Sequence, residues 1–161
     1  MKRAAIALLV FLAACGGSPA KPSGALDDTT LSRANTICAQ ARAQNSLTPF
    51  PVKDFDPKNP KADDLPKVAA YLEEAGISEN TATKLHAVAA PTSGAALWRR
   101  LLAFVDASVA NNKAQIAAAN AKDTTKFVQL VDTADELGKS FKAVGPKAGF
   151  DASSGCGKYF G

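Results

Sequence analysis

The chain is poor in the residues that usually carry chemistry. Its 161 residues include one histidine, His86, one tryptophan, Trp98, one methionine and two tyrosines, and only 7% are aromatic. A single histidine cannot build a His-rich metal centre. No Glu-x-x-His pair is present to hold a di-iron site inside a bundle, and no C-x-x-C-H run offers covalent haem attachment. P-loop, G-x-G-x-x-G and G-x-S-x-G runs are absent as well, which removes the common phosphate cradles and the hydrolase nucleophile elbow. Paired acids occur only as chain neighbours, at Asp27-Asp28, Asp63-Asp64, Glu73-Glu74 and Asp135-Glu136. Adjacent helical residues point in different directions, so these are not the facing carboxylates of a glycosidase. An enzyme would need His86, Asn112 and a carboxylate to converge. The expectation is no catalytic residue, no metal and no cofactor.

Two further absences narrow the class. No stretch alternates apolar and polar residues with β-branched enrichment, so strands are not expected. Charge of one sign is not concentrated either. The formal net charge is +4, but no run of Lys and Arg is interleaved with aromatics, and a nucleic-acid partner is not expected. Arg99-Arg100 reads as a solvated helix face, with a binding patch as the alternative.

What is present begins at the N-terminus. Met1-Lys2-Arg3 is basic, Ala4 to Leu12 is unbroken apolar, and Leu12-Ala13-Ala14-Cys15 closes the run before Gly16-Gly17-Ser18-Pro19. The run falls well short of the roughly 20 residues that a membrane-spanning helix needs. It fits the apolar region of a secretory signal behind a positive start. Small residues ending on a cysteine resemble the lipobox of a bacterial lipoprotein signal peptide. The resemblance implies that residues 1–14 are removed and that Cys15 is acylated, holding the protein at a membrane through two or more chains. It also implies an extracytoplasmic location, with Gly16 lacking the Asp that retains lipoproteins at an inner membrane. Lys2 and Arg3 leave with the leader, which leaves 17 basic against 15 acidic residues.

Residues 15–26 read as a flexible tether, and 27–161 as one domain large enough for a core of its own. With Cys15 assigned to lipid, Cys38 and Cys156 remain. An oxidising compartment favours their pairing, and so long a loop is worth about 4–5 kcal/mol on a chain-entropy model. Free thiols or a metal site are the alternatives, although His86 and two cysteines give at most three of the four ligands that structural zinc takes.

Helical periodicity then recurs. The first helix is expected over 28–44, with Leu31, Ala34, Ile37, Cys38 and Ala41 inward. The second spans 65–75 behind an Asp64 cap, and the third 79–89, with Ala82, Leu85, Val88 and Ala89 inward. The fourth spans 93–121, with a stripe of Leu97, Leu101, Phe104, Val105, Ser108, Asn112, Ile116 and Ala119. The fifth spans 125–144 and ends at Gly145-Pro146. Its mid-helix Gly138 suggests close approach by another helix. Four of the nine prolines fall between residues 49 and 60, and forbid helix there. Phe50, Val52 and Phe55 among them suggest an ordered strap docked on the bundle. The expected fold is all-α, an antiparallel bundle of four to five helices with a proline-rich strap and one disulfide. This domain broadly resembles small bacterial lipoproteins built as a four- or five-helix bundle with one terminal disulfide.

Candidate contact residues are few. Asn112 reads as a satisfied core polar residue, with a ligand contact as the alternative. Trp98 reads as a core-edge anchor, or else as a hot spot for a partner. Phe50 and Phe55 belong to the strap or to a partner-binding lip. The leading functional expectation is a lipid-anchored, non-enzymatic module acting by contact with an envelope protein or wall polymer. The alternative is a carrier or sensor holding a small apolar ligand between helices.

Overall fold

Helical periodicity is realised as α1 (Asp28–Asn45), α2 (Leu65–Ala75), α3 (Glu79–His86), α4 (Ala95–Asn120), α5 (Thr124–Ala148) and the short α6 (Gly155–Phe160). The computed structural model describes residues 24–160, so the leader, Cys15 and most of the expected tether lie outside the described residues. No strand occurs among the described residues, and Cys38 and Cys156 form a disulfide.

Helix α4 is the spine. It packs along α5 as a hairpin, with α2 and α3 against its other sides. Its first half carries Trp98, Leu101 and Val105 into a core shared with Leu85, Phe141 and Phe150. Its second half carries Ala118 and Ala119 into a smaller core with Leu65, Val68 and Phe127, onto which the strap residues Val52 and Phe55 pack. Neighbours on three sides widen the buried arc of α4 beyond a simple stripe. Trp98, Val109, Asn111, Gln115 and Ala118 are buried, whereas Leu97, Phe104, Asn112 and Ile116 of the expected stripe are only half-buried.

The strap between α1 and α2 is ordered. Phe55 meets Phe127 edge-on with ring centres 6.3 Å apart, and Phe50 meets Tyr71 at 4.9 Å. Lys58 reaches across to Asp132 at 2.6 Å and Asp135 at 2.7 Å on α5. Those pairs are exposed and contribute little stability, so the aromatics hold the strap.

Three boundaries move from their expected places, and one expected cap does not form. Ala25 and Leu26 are buried, and the Leu26 N–H donates to Ala148 O at 3.2 Å, so the domain begins inside the expected tether. Helix α3 stops at His86, leaving Ala89 exposed. Asp64 precedes α2 but makes no side-chain capping bond, because its own backbone is already helical. Helix α5 runs through Gly145-Pro146 to Ala148. A proline that close to a helix end removes few bonds, and burial of Ala148 and Phe150 offsets the loss. Gly149, at φ +104°, ends the helix instead, since a left-handed residue there has no Cβ to clash.

Asp27 ties two elements together. Its carboxylate caps α1 by accepting the Thr30 N–H at 2.9 Å, and it also accepts the Thr92 N–H at 2.8 Å from the segment before α4. The Thr30 and Thr92 donors, led by the Thr30 N–H and only partly opposed by burial, hold this carboxyl at about 2, against an ordinary 3.8. A carboxyl with a lower folded than unfolded pKa favours folding when ionised. Its contribution is complete above 3.8 and fades as pH falls towards about 2. Asp27→Ala will therefore lower the melting temperature at neutral pH, and the gap from wild type will close over that acid window. Circular dichroism melts across a pH series check this. A gap that does not change with pH would refute it.

Candidate functional site

The middle of α4 carries Ser108, Asn111, Asn112 and Gln115, at spacings of three, four and seven residues from the first. That spacing puts all four on one helix face, and the face turns inward. Over it lies a half-open cleft of about 380 Å³. Its walls come from Arg42 and Asn45 at the end of α1, Gly76 and Ile77 after α2, Leu137 and Gly138 on α5, and Lys158 to Phe160 on α6.

Each polar side chain of the stripe directs its N–H or O–H into the scaffold. Ser108 Oγ donates to Phe104 O at 2.8 Å. Asn111 Nδ2 and Gln115 Nε2 both donate to Leu130 O on α5, at 3.1 and 3.3 Å. Asn112 Nδ2 donates to Leu72 O on α2 at 3.3 Å. Gly76 permits that last contact, because a Cβ there would sit 2.5 Å from the Asn112 amide. These bonds set the register of α4 against both neighbours. They use one N–H of each amide and the Ser108 O–H. Asn111 Oδ1 is sealed from water and has no partner. An orphaned buried acceptor costs about 1–3 kcal/mol. Flipping the amide brings no relief, since it would set oxygen against Leu130 O. The Tyr159 hydroxyl is also buried without a completed hydrogen bond. Burial raises its pKa above the ordinary value, with Thr81 and Asn45 pulling weakly the other way.

The rim is cationic. Arg42 and Lys158 line the cleft, no Asp or Glu does, and neither cation forms an ion pair among the described residues. Lys158 feels only a longer-range attraction to Asp151. Arg42 also lies in the last turn of α1, where a cation suits the helix dipole.

Gly138 does not do what its position in the sequence suggests. No helix approaches it: a Cβ built there meets nothing within 4 Å, because it projects into the cleft.

The other candidates separate. Asn112 lines the cleft and has a main-chain partner. Trp98 is 4% exposed and belongs to the core, so it presents nothing to a partner. Phe55 is docked on Phe127, while Phe50 is 44% exposed on the strap beside Leu47, which is 82% exposed. His86 pairs with Asp106 at 2.8 Å on an outer groove shared with the Lys113–Glu79 pair, away from the face that Asn112 occupies. His86, Asn112 and a carboxylate are thus not brought together. No cluster of three or more His, Cys, Asp or Glu side chains among the described residues could hold a metal ion. Sequence reasoning placed Ser108 and Asn112 in the inward stripe and singled out Asn112 as a contact, but missed Asn111 and Gln115. Their shared helical spacing was the available signal.

No family model, curated protein or solved structure matches the chain.

Proposed function

We propose that this protein is a lipid-anchored extracytoplasmic binding module that holds a small molecule in the cleft over the α4 amide stripe. The observation that carries the reading is Gly138. A glycine inside a helix costs about 0.5–1 kcal/mol relative to alanine. The usual structural reason, close packing of a neighbour, is missing here, and what the absent side chain leaves is cleft volume. The cleft falls at the small end of the range for ligand pockets, about 300–1,000 Å³. The long-range disulfide suits an oxidising compartment, as the Cys15 lipobox implies.

Gly138→Ala is expected to raise stability by about 0.5–1 kcal/mol in denaturant melts. Gly138→Leu is expected to fold and to fill the cleft. Native mass spectrometry of wild type purified from its producing cells should show a bound small molecule that Gly138→Leu lacks. A retained adduct in Gly138→Leu, or bare protein in both, would count against the reading. A second reading, docking of an envelope partner on the strap, is favoured by the exposed Leu47 and Phe50 pair. Leu47→Ser with Phe50→Ser would then abolish in-cell crosslinking while leaving the adduct intact.

A further inference from the structure

Resting on the cleft as a binding site, we infer that its ligand is a small organic anion with an apolar body, held with its charge at the Arg42–Lys158 rim. The distribution of polar groups inside the cleft sets this orientation. The floor carries no formal charge, and one N–H of each of the Asn111, Asn112 and Gln115 amides is already committed to Leu130 O or Leu72 O. Ser108 likewise commits its O–H to Phe104 O. An anion placed there would find no cation to balance its charge. The side walls are apolar, built by Ile77, Leu137 and Phe160. The rim carries the only charged side chains that line the cleft, and its two cations have no carboxylate partner to displace. An anion arriving there forms charge-assisted hydrogen bonds without first breaking an ion pair. Arg42 comes from α1 and Lys158 from α6, two helices joined through Cys38 and Cys156, so the pair is held across one covalent staple. An apolar ligand without charge, the alternative expected from the sequence, would leave both cations unused.

Two fluorescent probes of nearly the same shape separate these cases. Anilinonaphthalene sulfonate carries an anionic group on an apolar body, and phenylnaphthylamine has the same body without the charge. Titrated into the folded, oxidised domain, the sulfonate should bind at one site and at least about tenfold more tightly than the neutral amine, the scale of one charge-assisted hydrogen bond gained by only one of them. The double variant Arg42→Gln/Lys158→Gln should bring the two affinities together. Both positions are exposed, so the variant is expected to fold, and circular dichroism checks it. Gly138→Leu should abolish sulfonate binding. Inorganic phosphate should not displace the probe; displacement by phosphate alone would overturn the apolar half of the inference. Equal binding of both probes, blocked alike by Gly138→Leu, would overturn the anion and leave the cleft standing. No binding of either probe, or sulfonate binding undiminished in Gly138→Leu, would overturn both.

Discussion

Reduction of the Cys38–Cys156 disulfide will lower the melting temperature by roughly 10–25 °C, the largest stability loss expected from any single covalent change in this domain. The cysteines are separated by 118 positions. Releasing a loop of that length returns about 5 kcal/mol of chain entropy to the unfolded state. Domains of this kind are stable by only about 5–15 kcal/mol in total. The native state makes the bond without rearrangement: the Cα atoms are 4.9 Å apart, and both residues are fully buried. The adjoining backbone is fitted to it. The Cys156 N–H donates to Asn35 Oδ1 at 3.0 Å, and Gly155 lies so close to α1 that a Cβ would meet Asn35 O at 2.1 Å. Melts with and without a phosphine reductant measure the effect, and Cys38→Ala/Cys156→Ala should reproduce it. An unchanged melting temperature would mean that the reduced chain stays compact when denatured. Reduction should also weaken sulfonate-probe binding, since α6 brings Lys158, Tyr159 and Phe160 to the cleft.

The fold was legible in the sequence where a single local signal decided the outcome. The helical period over 65–75 marked α2, and the four strap prolines excluded helix between residues 49 and 60. Legibility failed where tertiary contacts outweighed local preference. Gly145-Pro146 looks like a stop, but burying Ala148 and Phe150 is worth more than the hydrogen bond that proline removes. Ala25 and Leu26 look like tether, yet Leu26 is wholly buried and bonded to the end of α5. The cleft was the least legible part. Periodicity can say that Asn112 faces inward, but not that α1, α2, α5 and α6 stop short of one another above it. Gly138 shows the difficulty most clearly. A helical glycine signals either a close neighbour or an empty space, and only the surrounding helices decide which.

Replacing Cys15 should have the largest effect on where the protein resides. If the lipobox reading holds, wild type takes up an alkyne-palmitate label and enters the detergent phase, whereas Cys15→Ser is unlabelled and stays aqueous. The expected change is close to complete. A single acyl chain gives only marginal binding, with a constant of about 10⁴ M⁻¹, and stable attachment needs a second chain or a basic patch. On that reading, removing the Cys15 thiol removes the acyl chains that provide the attachment. No helix among the described residues is long and apolar enough to cross a membrane. The charges that remain after residues 1–14 are nearly balanced, 17 basic against 15 acidic, so they supply little attraction to an anionic surface, where each added cation counts for about 1 kcal/mol. Cys38 and Cys156 cannot take over the lipid, because both sulfurs are buried in the disulfide. Wild type that stays unlabelled, or Cys15→Ser that keeps the label, would overturn the anchor. The cleft proposal would be untouched by either result, since every residue it uses lies in the folded domain.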